Sequence, residues 1–185
     1  MVEEYSGVKF KTLFEGARFG YPNERKAIID ELAWLKERNL IHGIPGNISL
    51  RVADGVVITP TGKDLSEISE EDIVLVRGVN ERSKIVKMIG KHIPSSESMM
   101  HWLIYGNFPD VGAIVHFHDN KLLKSSKIVE TEEAHPYGTL ELAHIALKAL
   151  KKSRFILLKE HGALVIEKNM KACNAIIEKA LKTSK

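Results

Sequence analysis

Apolar positions along the chain switch between two spacings. From Asn23 to Asn39, Ile28, Ile29, Leu32 and Leu35 recur at helical spacing behind a start signal at Pro22 and Asn23, which predicts a first helix. The runs NISLRV and GVVIT flank Asp54-Gly55, a dipeptide that accepts the positive φ values of a tight hairpin, and predict two antiparallel strands. EEDIVLVRG and SKIVKMIG predict a second strand pair around Asn80. SESMMHWLIYG reads as a helix, AIVHFH as a buried strand and TLELAHIALKALKK as another helix. RFILLKEHG and ALVIE read as short strands around His161-Gly162, and Asn169 opens a last helix with Ile176, Ile177 and Ala180 on its apolar side. Tight hairpins in a mixed order of elements predict an α/β fold in which helices sandwich a largely antiparallel sheet.

Composition narrows this picture. With 185 residues, 44% of them hydrophobic, the chain can bury a substantial core as one domain, and residues 1 to 185 are read as such. No repeat, low-complexity tract or linker interrupts the pattern. The 27 basic and 24 acidic residues give a net charge of +3, dispersed rather than gathered on one helix or tail, so no nucleic-acid partner is expected. A single cysteine, Cys173, excludes an internal disulfide and fits a reducing compartment. Its helical setting predicts a buried, apolar-like thiol. No run of about 18 apolar residues occurs and the first ten residues carry no apolar core, so the expectation is a cytoplasmic protein without a membrane partner. Glutamine is absent while Lys, Glu and Ile are plentiful, a composition that points to a hot-growing source.

Candidate chemistry centres on DVGAIVHFHDN, residues 110 to 120. His116 and His118, one residue apart on a strand, point to the same face with their roots about 7 Å apart and can share one cation. His161 follows an apolar strand and precedes the permissive Gly162. Three imidazoles with an open position suit a catalytic zinc ion acting as a Lewis acid, and the same ligand types accept nickel, cobalt or iron. Glu97 would serve as a fourth, displaceable ligand or as an acid/base group. Three further stretches are read two ways. PGNIS places Gly46 and Asn47 before a strand, where backbone and amide can approach an oxyanion or simply form a turn. ITPTGKDL offers Thr61 and Gly62 at a strand exit, an anion-binding concavity or an ordinary loop. IPSSES sets Ser95, Ser96 and Glu97 at a helix start, a phosphate seat or a plain N-cap. His42, His92, His101, His135 and His144 lack such companions and are read as surface or packing residues.

Together GNISLR, ITPTGKDL, PSSES, VHFHD and KEHGALVI, in this order from about residue 24 onward, resemble the class II aldolase/adducin family. The resemblance implies a three-layer αβα fold with a nine-stranded, mostly antiparallel sheet, a homotetramer with sites between subunits, and one divalent zinc. It assigns His116, His118 and His161 as metal ligands, Glu97 as catalytic acid/base, and Gly46, Asn47, Thr61, Gly62, Ser95 and Ser96 as phosphate-binding positions. The activity implied is cleavage of a phosphorylated ketose to dihydroxyacetone phosphate and an aldehyde. Family aldolases often carry a tyrosine that assists at the aldehyde end, and Tyr137 in HPYGTLEL is the candidate here. The 42 residues between His118 and His161 form a short segment for the family, and Asp119-Asn120 replaces the more usual Ser-Pro type of continuation. The alternatives are a methylthioribulose-1-phosphate dehydratase or a pentulose-phosphate epimerase on the same scaffold, or an adducin-like binding module without chemistry. A decarboxylase would not need Thr61, Ser95 and Ser96 to hold phosphate.

Overall fold

The computed structural model describes residues 7–125 and 127–183. Among these residues nine strands form one sheet. They are β1 (Lys11–Gly16), β2 (Asn47–Val52), β3 (Gly55–Ile58), β4 (Val74–Asn80), β5 (Ile85–Ile89), β6 (Ala113–Phe117), β7 (Val129–Glu130), β8 (Phe155–Leu158) and β9 (Gly162–Glu167). Their spatial order is β1-β5-β4-β3-β2-β6-β9-β8-β7. Only the outermost pairs, β1–β5 and β7–β8, are parallel; every inner pair is antiparallel.

Among the described residues four α-helices cover the sheet: α1 (Pro22–Glu37), α2 (Ser98–Asn107), α3 (Leu140–Leu150) and α4 (Met170–Thr183). The period-two alternation of the strands sorts side chains to two faces. Val56, Ile58, Ile114, Leu164 and Ile166 pack with Met99, Ile104, Leu142 and Ala146 of α2 and α3. Ile48, Val57, Val115, Phe117 and Val165 pack with Ile28, Leu32, Leu35, Cys173 and Ile177 of α1 and α4. The expected αβα layering is therefore present, and Cys173 is the buried free thiol that its helical setting predicted.

Most element limits follow the sequence pattern, with local shifts that have physical causes. The first helix begins at Pro22 rather than Asn23, behind Tyr21 in a left-handed conformation (φ 63); proline at the first position supplies a preset φ and gives up no needed N–H. The last helix starts as expected, with Asn169 Oδ1 accepting from Ala172 N at 2.9 Å. Two strands lay outside the predicted pattern. β1 is an edge strand with five exposed residues in six, and its Leu13 and Phe14 are adjacent and 48% and 61% exposed, so no alternation marks it. β7 has two residues.

Candidate active site

Neighbouring strand ends deliver the predicted ligands. His116 lies on β6 in register with Leu164 of β9, and Phe117 with Ala163; the turn before β9 therefore carries His161 to the end of β6, where His118 follows the last strand residue. The three imidazole centroids stand 4.9, 5.0 and 4.9 Å apart, with candidate ligand atoms all within 4.8 Å of one another. His116 Nδ1 is 2.9 Å from the Ala163 carbonyl oxygen. Donation of the Nδ1 proton there leaves Nε2 as a lone pair, the tautomer a metal ligand requires. That Nε2 is 3.1 Å from His118 Nε2, close to the roughly 3.3 Å expected between two imidazole nitrogens on a tetrahedral ion with bonds of about 2.0–2.1 Å. This donor set fits a divalent transition metal.

Two glycines make the convergence possible. A Cβ on Gly162 would stand 2.7 Å from His116 Cε1, 2.9 Å from the Phe117 carbonyl oxygen and 3.0 Å from His118 Cδ2. Gly46, at φ +104, would put a Cβ 2.8 Å from the His116 carbonyl oxygen. Both positions bring one backbone against another strand end, which only glycine allows.

Glu97 holds the N-cap position of α2 without a side-chain cap hydrogen bond, and its side chain reaches the same cluster. Its carboxylate lies 3.2 Å from His116 Nε2 and 3.3 Å from His161 Nε2, and Oε2 accepts from Asn47 Nδ2 at 2.7 Å. Asn47 itself sits directly across from His116 in the β2–β6 register. Burial opposes a charge on Glu97, yet His116, His161 and the Asn47 amide together hold its carboxyl well below the usual carboxylate range. Burial also lowers His116 and takes His118 down to about 3. A histidine binds a cation through a neutral ring and a carboxylate through its ionised form, so a metal and protons compete for this cluster.

The three stretches read two ways in the sequence meet at this cluster. Pro60 and Pro94 form a bridge between their loops, Thr61 N donates to the Ile93 carbonyl at 3.0 Å and Ser95 N to the Thr59 carbonyl at 3.0 Å. The loops carrying Thr61-Gly62 and Ser95-Ser96 are thereby held side by side. Gly46, Asn47, Thr61, Gly62, Ser95, Ser96, Glu97, His116, His118, His161 and Tyr137 all line one cleft of about 1610 Å³. Tyr137 is buried in its wall, with its hydroxyl donating to the Gly7 carbonyl at 3.2 Å. Lys9 lies over that ring, its Nζ 4.2 Å from the centroid. Asp119 caps the turn after the two histidines, its Oδ1 accepting from Lys121 N and Leu122 N at 2.8 Å each.

Sequence reasoning passed over His101. It is wholly buried, as a packing residue would be, but its Nδ1 lies 2.7 Å from Ser49 Oγ. The signal available was its place four residues after Glu97, on the same helical face. Among the other histidines, His42 lines the cleft and His92 pairs with Asp72 at 3.0 Å.

A nine-stranded, mostly antiparallel sheet between two helical layers, with a histidine and glutamate cluster at its strand ends, defines the class II aldolase fold. The family Class II Aldolase and Adducin N-terminal domain matches residues 26–183, and the chain belongs to it. It is 33% identical over 175 residues to the L-fuculose phosphate aldolase of Escherichia coli strain K12, covering 84% of this chain and 75% of that one. Against the enzyme of the same name from Methanococcus maripaludis strain C7, identity is 35% over 153 residues, covering 74% and 80%. A 5-methylthioribulose-1-phosphate/5-deoxyribulose-1-phosphate aldolase from Rhodospirillum rubrum is 29% identical over 166 residues, covering 80% and 72%. A solved L-fuculose 1-phosphate aldolase superimposes with a TM-score of 0.76 at 28% identity, covering 89% and 84%. These similarities support an aldolase, an enzyme of the lyase class. The family implies a divalent metal, for which His116, His118 and His161 are the candidate ligands.

Proposed function

We propose that this chain is a zinc-dependent class II aldolase that cleaves a phosphorylated ketose, with fuculose-1-phosphate as the first candidate, to dihydroxyacetone phosphate and an aldehyde. The observation that carries this reading is the meeting of three imidazoles and one buried carboxylate in the cleft that the serine and threonine loops also line. His116, His118 and His161 would hold the zinc; when bound it supplies positive charge that stabilises negative charge developing on substrate oxygens. Cleavage of the C3–C4 bond takes a proton from the C4 hydroxyl and returns one to C3 of the three-carbon fragment. Glu97 shuttles a proton in this sequence, oriented through Oε2 by the Asn47 amide. The second N–H of that amide, the Thr61, Ser95 and Ser96 hydroxyls and the backbone at Gly46 and Gly62 receive the phosphate beside the start of α2. Tyr137 is the proton-handling candidate at the aldehyde end, a role that requires its hydroxyl to leave the Gly7 carbonyl.

The Rhodospirillum rubrum relative favours a second substrate reading, a 5-methylthioribulose or 5-deoxyribulose 1-phosphate, with the same bond cleaved. Assembly as a homotetramer belongs to the same proposal, with exposed Leu13, Phe14, Ile44 and Ile93 offering apolar surface for it. So does a cytoplasmic setting; no helix among the described residues is long and apolar enough to cross a membrane. The test is product analysis of a panel of phosphorylated ketoses with added zinc. Release of dihydroxyacetone phosphate that disappears in Glu97→Gln supports the aldolase and ranks its substrates. Consumption to other products would replace it with a dehydratase or epimerase, and no consumption would leave the binding module.

A further inference from the structure

Behind Glu97, α2 meets β2 through polar side chains that are buried except for Arg51 at the outer end. Asn47 Nδ2 donates to Glu97 Oε2 at 2.7 Å. Ser49 Oγ lies 2.7 Å from His101 Nδ1 and 2.9 Å from the Tyr105 hydroxyl, which also donates to the Ser49 carbonyl at 3.0 Å. Arg51 Nη2 donates to the Tyr105 carbonyl at 2.7 Å, and its guanidinium carbon stands 4.8 Å from the Tyr105 ring centroid. The partners are residues 47, 49 and 51 of the strand with residues 97, 101 and 105 of the helix and its cap. Two strand residues advance about 6.6 Å and four helical residues about 6 Å, so each step along β2 matches one turn of α2.

Stability does not account for this choice of residues. Asn47, Ser49, Glu97, His101 and Tyr105 are each at most 4% exposed, and apolar groups of similar shape would fill the space at no desolvation cost. Asn47 Oδ1 and His101 Nε2 are even buried without a hydrogen-bond partner, which costs free energy. What a directional network supplies is register: an apolar helix can slide or rotate on a sheet, whereas paired donors and acceptors fit in one position. Register matters here because Asn47 stands opposite His116 and Ser49 opposite Ile114 in the sheet. An axial slip of α2 would carry the Glu97 carboxylate away from the imidazoles.

We propose that His101 and Tyr105 are positioning residues, which with Asn47, Ser49 and Arg51 form a polar ladder that fixes α2 on β2 and so holds Glu97 against the histidine cluster. This rests on the reading of Glu97 as the acid/base group. The effect belongs in turnover rather than in substrate binding, since displacement of a reacting group by about 1 Å can cost roughly 100-fold in rate.

The test compares His101→Leu, His101→Asn and Tyr105→Phe with the wild type and Glu97→Gln, all zinc-loaded, for kcat, KM, zinc per subunit and Tm. His101→Leu is expected to keep its zinc and a Tm near the wild-type value while kcat falls roughly 10- to 100-fold at little-changed KM. His101→Asn, whose amide reaches the place of ring Nδ1, should recover most of that loss. Tyr105→Phe should show a smaller loss of the same kind, and it carries the test if the leucine variant does not fold. An unchanged kcat in His101→Leu and Tyr105→Phe beside an inactive Glu97→Gln would overturn the ladder alone. An asparagine variant no better than leucine, or activity that merely follows Tm or zinc content, would overturn it in favour of a structural role. Full turnover in Glu97→Gln would overturn the acid/base reading and the positioning role with it.

Discussion

Two buried carboxylates on opposite faces of the sheet make an instructive pair. Glu97 and Glu31 are 3% and 4% exposed, and each accepts one asparagine amide, from Asn47 at 2.7 Å and from Asn174 at 3.0 Å. Their protonation differs in direction. For Glu31, between α1 and α4, burial pushes the carboxyl up to about 7, and Asn174 and Arg38 offset only part of it. For Glu97 burial is outweighed by His116, His161 and Asn47 acting together. One hydrogen bond therefore does not keep a buried carboxylate ionised; a cluster of dipoles and rings around it does. Glu31 Oε1 and Asn174 Oδ1 are both left without a partner. A protonated Glu31 could donate to that amide oxygen, which is the form its surroundings favour.

The contrast can be broken most severely by substituting each carboxylate in turn. Glu97→Gln should lower kcat by roughly 10²- to 10⁴-fold, the range for loss of a general acid/base, while Glu31→Gln should leave steady-state turnover near wild type. Comparable losses in both would show that the difference in surroundings has no functional meaning. The second break is in stability against pH. The folded-state value of Glu31 lies above its unfolded value of 4.5, so its contribution is fully present below about pH 4.5 and is lost as pH rises through about 7. Glu31→Gln, whose amide can donate to Asn174 Oδ1, should melt with the wild type near pH 4.5. It should become the more stable protein above pH 7, by roughly 3 kcal/mol at the limit of that shift. Parallel melting curves for the two proteins from pH 5 to 8 would refute this. A smaller effect is expected from Gly162→Ala, which pushes a methyl group into the His116 and His118 rings. It should cost about 1–3 kcal/mol of stability and weaken zinc binding in a titration, whereas Gly106→Ala, with nothing within 4 Å of the added carbon, should do neither.

Features that depend on near neighbours in the chain were legible in the sequence. His116 and His118 are two residues apart at a strand end and read as a pair, and His161 was marked by its own two-strand hairpin; its meeting with them runs through the pairing of that hairpin's second strand with theirs, which no local pattern sets. The four α-helices showed their periodicity because one face of each is buried, and the inner strands β6, β8 and β9 showed as short apolar runs because both of their faces are. β1 did not, since an edge strand exposed on both faces needs no alternation. What stayed hidden are contacts set by how layers pack. The Asn47–Glu97 bond spans 50 residues, the Ser49–His101 bond 52 and the Glu31–Asn174 bond 143. The Tyr137 hydroxyl finds Gly7 across 130 residues. His101 carried only the weak mark of standing four residues after Glu97, and a lone histidine on a helix reads as a packing or surface residue.

The account stands on a three-histidine metal centre serving Glu97, and the most direct measurement follows metal content and dihydroxyacetone phosphate release together, through chelation and zinc restoration. The expected result is one zinc per subunit, activity that falls in proportion to the zinc removed, recovery on adding it back, and no zinc retained by His118→Ala. Release that continues at full rate from metal-free protein, or a His118→Ala variant that binds zinc and turns over like the wild type, would contradict it.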